Sequence, residues 1–510
     1  MQKTAPSSSW GFGLALLLVA ASGLTACYPY QSGPALPDDL LLLQGEGIDG
    51  RLYMLAPTAQ SVLSIDPQTR QVESIPVGRE PTVLARPDGG DVLYTLDRKD
   101  SALSRVSASG AVISEDLGAP FTTLTWSPDG TRGIAWFHPD EAADLEVDGS
   151  LNLNAYAAIE VDDGEVTVSL GSLTFEPHAV SFSADSTKAL IATTARLHIV
   201  DLLADPISEL AVPFTADDSV HRAPDIVAAG PLGEQALVTV AGVADLFVLR
   251  LDPVMIENVA PLPRPAMSVV WSADGTRAII ADGTAQVTFL DLQTNEVEAL
   301  QLDHAVNRIQ MSQLPQNSFA LLYDDRGWTS YITRVELDSS ATAPDDPETY
   351  LLEDPIGRVE LSPSEEAAVI FHSTSGFLNS VQADTLSLFH FAERAPSRIR
   401  LDAAAWDMIF LGSGVIPDNE DEHVIVVLKD SARLIRYNLR TYAQVVLDTY
   451  PLPHAIGRIP APAGGSELLF VIHDQDSGLV SFLPPDASSV PSGGFPAVSG
   501  MGLTGLLDRR

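Results

Sequence analysis

Ser61-Val62-Leu63-Ser64-Ile65-Asp66-Pro67-Gln68-Thr69-Arg70-Gln71-Val72-Glu73-Ser74-Ile75-Pro76-Val77-Gly78-Arg79-Glu80-Pro81-Thr82-Val83-Leu84-Ala85-Arg86-Pro87-Asp88-Gly89-Gly90-Asp91-Val92-Leu93-Tyr94-Thr95-Leu96-Asp97-Arg98 is the stretch that decides the fold. One strand ends in Ile65-Asp66 and a turn carries Thr69. A second strand follows as Val72-x-x-Ile75-x-Val77-Gly78. Pro87-Asp88-Gly89 then turns the chain into a strand through Val92-Leu93-Tyr94. Asp-Gly between apolar strands is a strong hairpin signal.

The pattern recurs. Thr125-Trp126-Ser127-Pro128-Asp129-Gly130-Thr131-Arg132 and Val270-Trp271-Ser272-Ala273-Asp274-Gly275-Thr276-Arg277 are its clearest copies, and Ser181-Phe182-Ser183-Ala184-Asp185-Ser186-Thr187-Lys188 is a third. Weaker turns fall at Leu232, Pro315, Ser364, Asp418 and Ala463. With Asp88, Asp129, Asp185 and Asp274 they form nine markers spaced 41 to 56 residues apart. Units of 40–50 residues with four short strands each are the signature of a propeller. Phe289-Leu290-Asp291, Thr294 and Val297 repeat the middle of the opening stretch. The whole is similar to the YVTN-type, WD40-like β-propeller repeat, closely over two units and loosely elsewhere. Loose copies suffice, because each blade needs only alternation and turns.

The expected fold is therefore an all-β propeller of four-stranded blades over residues 40–483. The markers allow as many as nine blades, with residues 458–483 joining residues 40–78. Propellers typically have four to eight, so we expect seven or eight, closed by pairing of N- and C-terminal strands. Acidic residues 138–154 and residues 392–400 read as insertions. No sustained 3.6-residue apolar period follows the N-terminus.

Ahead of the repeats lies Lys3, then the apolar run 11–21, then Leu24-Thr25-Ala26-Cys27. A charged start, a short apolar core and small residues at the cut describe a secretory signal, and about 11 residues are too few to span a bilayer as a helix. A cysteine at the cut resembles the lipobox of bacterial lipoproteins. That resemblance implies a signal peptide over 1–26 and a lipidated Cys27 as the first mature residue, held by several acyl chains, which anchor stably where one does not. It implies a cell-envelope address. Tyr28, where an Asp would favour inner-membrane retention, points to the outer membrane. Three prolines within residues 28–39 make a stiff spacer. Residues 484–510, rich in Pro, Gly and Ser, read as a tail that is either disordered or packed on the ring.

Cys27 is the only cysteine among 510 residues, so no disulfide can form within the chain and stability rests on packing. The formal net charge is −39, and the only lysines are Lys3, Lys99, Lys188 and Lys429. Such a surface repels phosphate backbones and excludes nucleic acid as a partner class. It serves solubility, or binds divalent or cationic partners.

Chemistry-bearing motifs are few. Gly45-Glu46-Gly47-Ile48-Asp49-Gly50 fits G-x-G-x-x-G, but strand-like residues 51–55 follow where a dinucleotide site needs a helix. It reads as a glycine-rich turn. No G-x-S-x-G, H-E-x-x-H, Walker A or paired C-x-x-C occurs. Asp474 and Asp476 form a fragment of an acidic calcium loop without its closing Glu. Asp418-Asn419-Glu420-Asp421-Glu422-His423 is a second acidic turn. A divalent cation is thus conceivable at either, and no cofactor is identified.

Arg308, Arg358 and Arg458 each lie four residues ahead of a turn, at Ser312, Ser362 and Pro462. His304 and His454 precede the first and last of them at one spacing, and His178 sits near a strand start. Two readings stand: arginines converging on a channel mouth to hold a carboxylate or phosphate, or arginines pairing with acids of neighbouring blades. The expected function is a membrane-anchored binding or scaffold module for a protein or small ligand. The alternative is a propeller enzyme of the lactonase or hydrolase type with a metal at the channel mouth.

Overall fold

The computed structural model describes residues 45–487, without 58, 70, 88–89, 143–150, 163, 216, 218–219, 315–317, 328, 338–346, 373–383, 394, 418, 450–451, 462–465 and 474–479. The chain divides into two units, residues 1–35 and 36–510. The signal peptide, Cys27 and the spacer lie outside the described residues, as do Asp474 and Asp476.

The described residues form ten antiparallel sheets, nine of four strands and one of three. They are numbered here as blades 1 to 10: residues 45–76, 81–116, 123–172, 177–212, 224–261, 268–301, 308–351, 356–400, 405–448 and 453–483. Each is a meander in sequence order, from an inner strand to an outer one. The upper face is where inner strands begin. The lower face carries the hairpin turns from inner to second strand.

Local chemistry sets the turns. Ser127 Oγ donates to Asp129 Oδ1 at 2.7 Å, and Asp129 accepts from the Thr131 N–H at 3.0 Å. The same bonds recur in Ser183-x-Asp185-x-Thr187 and Ser272-x-Asp274-x-Thr276. An Asp that bonds its own backbone two residues on mimics a turn. Gly130 and Gly275 then take the positive φ, 69° and 70°, that closes the hairpin.

Middle strands are buried along most of their length rather than alternating. In blade 8 the second strand, Ala367–His372, and the third, Thr385–His390, are almost wholly buried, whereas the outer strand, Ser397–Arg400, alternates. Neighbouring blades cover both faces of the middle strands, so both sets of side chains leave water. Each fully buried Leu or Ile contributes about 1.5–3 kcal/mol.

Ten hydrophobic clusters sit one at each blade-to-blade interface. The cluster between blades 7 and 8 joins Phe319, Leu321 and Tyr323 to Ile356, Val359 and Phe389. The last joins Leu52, Met54 and Leu63 of blade 1 to Ile459, Phe470 and Val480 of blade 10. Ten sheets sharing ten interfaces make a closed ring.

The ring therefore has ten blades, not seven or eight. All nine sequence markers fall in the first hairpin of a blade, and Asp49-Gly50, inside the G-x-G-x-x-G stretch, is the tenth such turn. How many blades close a ring depends on the angle between neighbouring sheets, which no single repeat encodes. Residues 45–76 form a complete blade of their own, so they do not share a sheet with residues 453–483. Instead the two end blades pack face to face. Gly50 N donates to Pro460 O at 3.0 Å, and a Cβ at Gly47 would lie 2.3 Å from the Arg458 carbonyl oxygen.

Lower-face turns touch from blade to blade. Arg86 Nη1 donates to Gly47 O at 2.8 Å, Asp129 N to Ser186 Oγ at 3.2 Å, and Ser364 N and Oγ to the Glu422 carboxylate at 2.8 and 2.7 Å. These bonds join blade 1 to 2, blade 3 to 4 and blade 8 to 9. Among the described residues no helix is long and apolar enough to cross a membrane.

Candidate functional site

The three arginines of the sequence motif are bound within their own blades. Arg308 opens the inner strand Arg308–Met311, and its Nε donates to Asp325 Oδ2 at 2.5 Å. Asn307 holds the same carboxylate through Nδ2 at 2.7 Å. Arg358 lies 3.1 Å from Glu360 on its own strand and 4.8 Å above the Phe371 ring. Arg458 grips Glu467 with two bonds, 2.5 and 2.8 Å. The pairing partners are therefore not on neighbouring blades.

Register separates the set as well. Arg308 and Arg358 oppose Tyr323 and Phe371, the last and penultimate residues of their second strands, near the upper face. Arg458 opposes Leu469, the second residue of its second strand, about three residues or roughly 10 Å further down. Blades 7 and 8 bring Arg308 and Arg358 to adjacent positions, and Arg458 lies apart from them.

The histidines also divide. His304 is buried in the connection into blade 7. Its ring stacks on Tyr331 at 5.3 Å, and Nε2 lies 3.3 Å from Thr333 Oγ1. Burial holds this imidazole below the ordinary histidine range. His178 Nε2 lies 3.1 Å from Pro224 O and ties blade 4 to blade 5. His454 is half-buried on the inner strand of blade 10.

His178 and His454 share a feature that counting residues does not show. Six inner strands lose register at their second residue, between Pro81 and Val83, Pro177 and Ala179, Pro224 and Val227, Ile356 and Arg358, Ala405 and Asp407, and Pro453 and Ala455. The bulged residues are Thr82, His178, Asp225 with Ile226, Gly357, Trp406 and His454. A bulge re-aims a side chain and is favoured at barrel rims. Here it recurs around the upper opening of the ring.

Blades 9 and 10 place Trp406 and His454 on adjacent bulges, ring centroids 5.8 Å apart. Lys429 follows the second strand of blade 9, and its Nζ stands 5.0 Å from the Trp406 ring. All three are partly exposed. The group offers an aromatic face, an ammonium and an imidazole, a combination suited to a carboxylate carried on an apolar or ring-shaped body. The sequence reading missed Trp406 and Lys429. A proline opens four of the bulged strands, at Pro81, Pro177, Pro224 and Pro453, and so marks His178 and His454, but blade 9 opens with Ala405 and no such signal marks Trp406.

Three further polar groups near the upper face, Asp97, His372 and His473, are internal. Asp97 is fully buried and accepts from Thr95 Oγ1, Ser104 Oγ and Gly78 N. Burial raises its pKa against those bonds. His372 and His473 each meet a serine of the third strand at 2.7 Å, Ser387 and Ser481. Among the described residues, no group of three or more His, Cys, Asp or Glu is placed to hold a metal ion.

No family model matches the chain, and no curated protein matches it. Among solved structures it is similar to a dihydro-heme d1 dehydrogenase, NirN, in complex with DHE. That likeness has 11% identity over 72% of this chain and 76% of that one, with a TM-score of 0.44. It is also similar to a functionally unknown protein from Desulfotomaculum acetoxidans DSM 771, at 11% identity over 61% of this chain and 99% of that one, with a TM-score of 0.37.

Proposed function

We propose that this protein is a lipid-anchored component of the bacterial cell envelope whose ten-bladed ring is a binding or scaffold module. Its partner, a protein or small ligand presenting a carboxylate, docks on the upper rim at Trp406, Lys429 and His454. The observation that carries the reading is the pair of adjacent bulges that turn an indole and an imidazole to within 5.8 Å of each other beneath a lysine. Several lower-face turns, by contrast, are engaged with one another.

The anchor reading rests on Leu24-Thr25-Ala26-Cys27 and the apolar run before it. The inner strand of blade 1, Gly45–Ile48, runs downward from the upper face like the other inner strands.

The test uses full-length protein in its native membrane, with a photoreactive residue at Trp406, at His454 or at the lower-face control Asp274. Crosslinked adducts are expected from the two rim positions and not from Asp274, and Lys429→Glu should reduce those at His454. Absent adducts, or equal adducts from Asp274, overturn the rim reading. Separately, Cys27→Ala should move the protein to the soluble envelope fraction. Retention in the membrane fraction overturns the anchor while leaving the rim untouched.

A further inference from the structure

The joint between blades 9 and 10 has a counterpart. Blades 4 and 5 also carry adjacent bulges, at His178 and at Asp225 with Ile226. His178 Nε2 lies 3.1 Å from Pro224 O across that joint. The connections into the two inner strands meet there as well. Phe175, from the connection into blade 4, packs against His221, from the connection into blade 5, with ring centroids 4.9 Å apart and planes at 60°. Phe175 is partly exposed and His221 is exposed. Trp406 and His454 meet in the same way, at 5.8 Å. Each joint thus sets an aromatic ring against an imidazole at the upper rim.

The two joints are five blades apart whichever way the ring is followed, so they face each other across the opening. Face-to-face sheets pack about 10 Å apart, so ten blades make a circuit of about 100 Å and a mid-blade diameter of about 32 Å. Inner strands lie about 7 Å inside that line, half the width of four strands set about 4.8 Å apart, which leaves roughly 18 Å between the joints. A body that fills a small-molecule pocket of at most about 1,000 Å³ is on the order of 12 Å across. Such a ligand does not reach both.

We infer that the rim's partner is a protein that spans the opening and docks on both joints at once. This rests on the rim site at Trp406, Lys429 and His454 and narrows its occupant. The two ends differ in charge. At the first, Lys429 meets a carboxylate, while Asp407 is turned onto the N–H groups of Met408 and Ile456. At the second, the charged residues among 175–178 and 221–226 are Glu176, Asp225 and Arg222, and both acids are exposed. An aromatic ring beside two acids suits an ammonium or guanidinium group. The partner therefore sets a carboxylate on one joint and a basic side chain on the other, and that polarity fixes one orientation. A net charge of −39 also steers basic side chains toward the ring.

Photocrosslinking of full-length protein in its native membrane tests this, with the photoreactive residue at Phe175 or, separately, at His454. One and the same protein, by mass and peptide sequence, is expected from both positions. Asp225→Lys should cut the His454 adduct at least about tenfold, since two linked contacts bind far more tightly than either alone. Glu176→Lys repeats the test through a different residue, and thermal unfolding as in the parent shows that each variant folds. A His454 adduct unchanged in both variants, different proteins at the two positions, or a His454 adduct of small-molecule mass overturns the spanning protein and leaves the rim site in place. Adducts at neither position overturn both readings.

Discussion

Gly47 and Arg458, from the two ends of the ring, meet backbone to backbone: a Cβ on Gly47 would lie 2.3 Å from the Arg458 carbonyl oxygen and 2.7 Å from Ile459 Cα. No flexible side chain can yield there. The contact closes the ring together with the bond from Gly50 N to Pro460 O.

Gly47→Ala should therefore loosen the joint between blades 1 and 10. Overpacking against fixed backbone costs about 1–3 kcal/mol. Urea unfolding should show the loss. Hydrogen exchange should localise it to residues 51–56 and 468–473, with blades 4 to 6 unaffected. A stability equal to that of the parent would mean that the ring closes elsewhere.

Glu365 ties blade 8 to blade 7. It is buried, and its carboxylate accepts from Ser312 Oγ at 2.6 Å, Leu314 N at 3.3 Å and Gln313 N. Glu365→Ala strands the Gln313 and Leu314 N–H groups, while Ser312 Oγ keeps Leu314 O as an acceptor, and should cost on the order of 2–3 kcal/mol. Glu365→Gln, which keeps an acceptor oxygen, should recover part of that. Chemical denaturation of the three proteins gives the comparison.

Stability should fall with acid in two stages. Burial holds the imidazoles of His304, His372 and His423 below their ordinary value of 6.5. Unfolded chains take up those protons first, so this stability is complete above about pH 6.5 and declines as pH falls below it. The slope is at most about 1.4 kcal/mol per pH unit for each imidazole. Asp185 and Asp274 belong to the second stage. Burial raises them, but hydrogen bonds from their Ser and Thr neighbours outweigh it and hold them below 3.8. Their contribution is lost only as pH drops below about 4. Asp97, raised by burial, works the other way: its destabilising effect is relieved as pH falls toward 3.8. Unfolding free energies between pH 7 and 5 should fall less steeply in His372→Asn than in the parent, and equal slopes would contradict the assignment.

Arg308, Arg358 and Arg458 pair with Asp325, Glu360 and Glu467 through side chains that are 53%, 39% and 38% exposed. Exposed pairs contribute roughly 0.2–1 kcal/mol each. The triple glutamine variant should lose no more than about 3 kcal/mol and keep its midpoint sharp. A much larger loss in calorimetry would show that the three act as a network.

The nine turn markers were legible because each needs only a short run of sequence. Ser-x-Asp-x-Thr closes a hairpin by bonds within five residues, as at Ser272, Asp274 and Thr276. Asp49-Gly50 escaped notice because its glycines matched a different motif. The arginine alignment failed at Arg458 for a related reason. Counting back from a turn assumes equal hairpins, and blade 10 runs from Ile459 to Leu468 where blade 8 runs from Leu361 to Ala368. Trp406 and His454 look unrelated in sequence, and only the loss of register at both strand starts puts them on one rim.

By itself the sequence determined an all-β repeat, its turns and the apolar strands that must be buried, since these follow from residues within one blade. Blade number, the face-to-face closure of blade 1 on blade 10 and the partners of each charged group were decided by tertiary structure. They depend on how each sheet leans on the next, and that angle is a property of packed pairs of blades, not of any one of them.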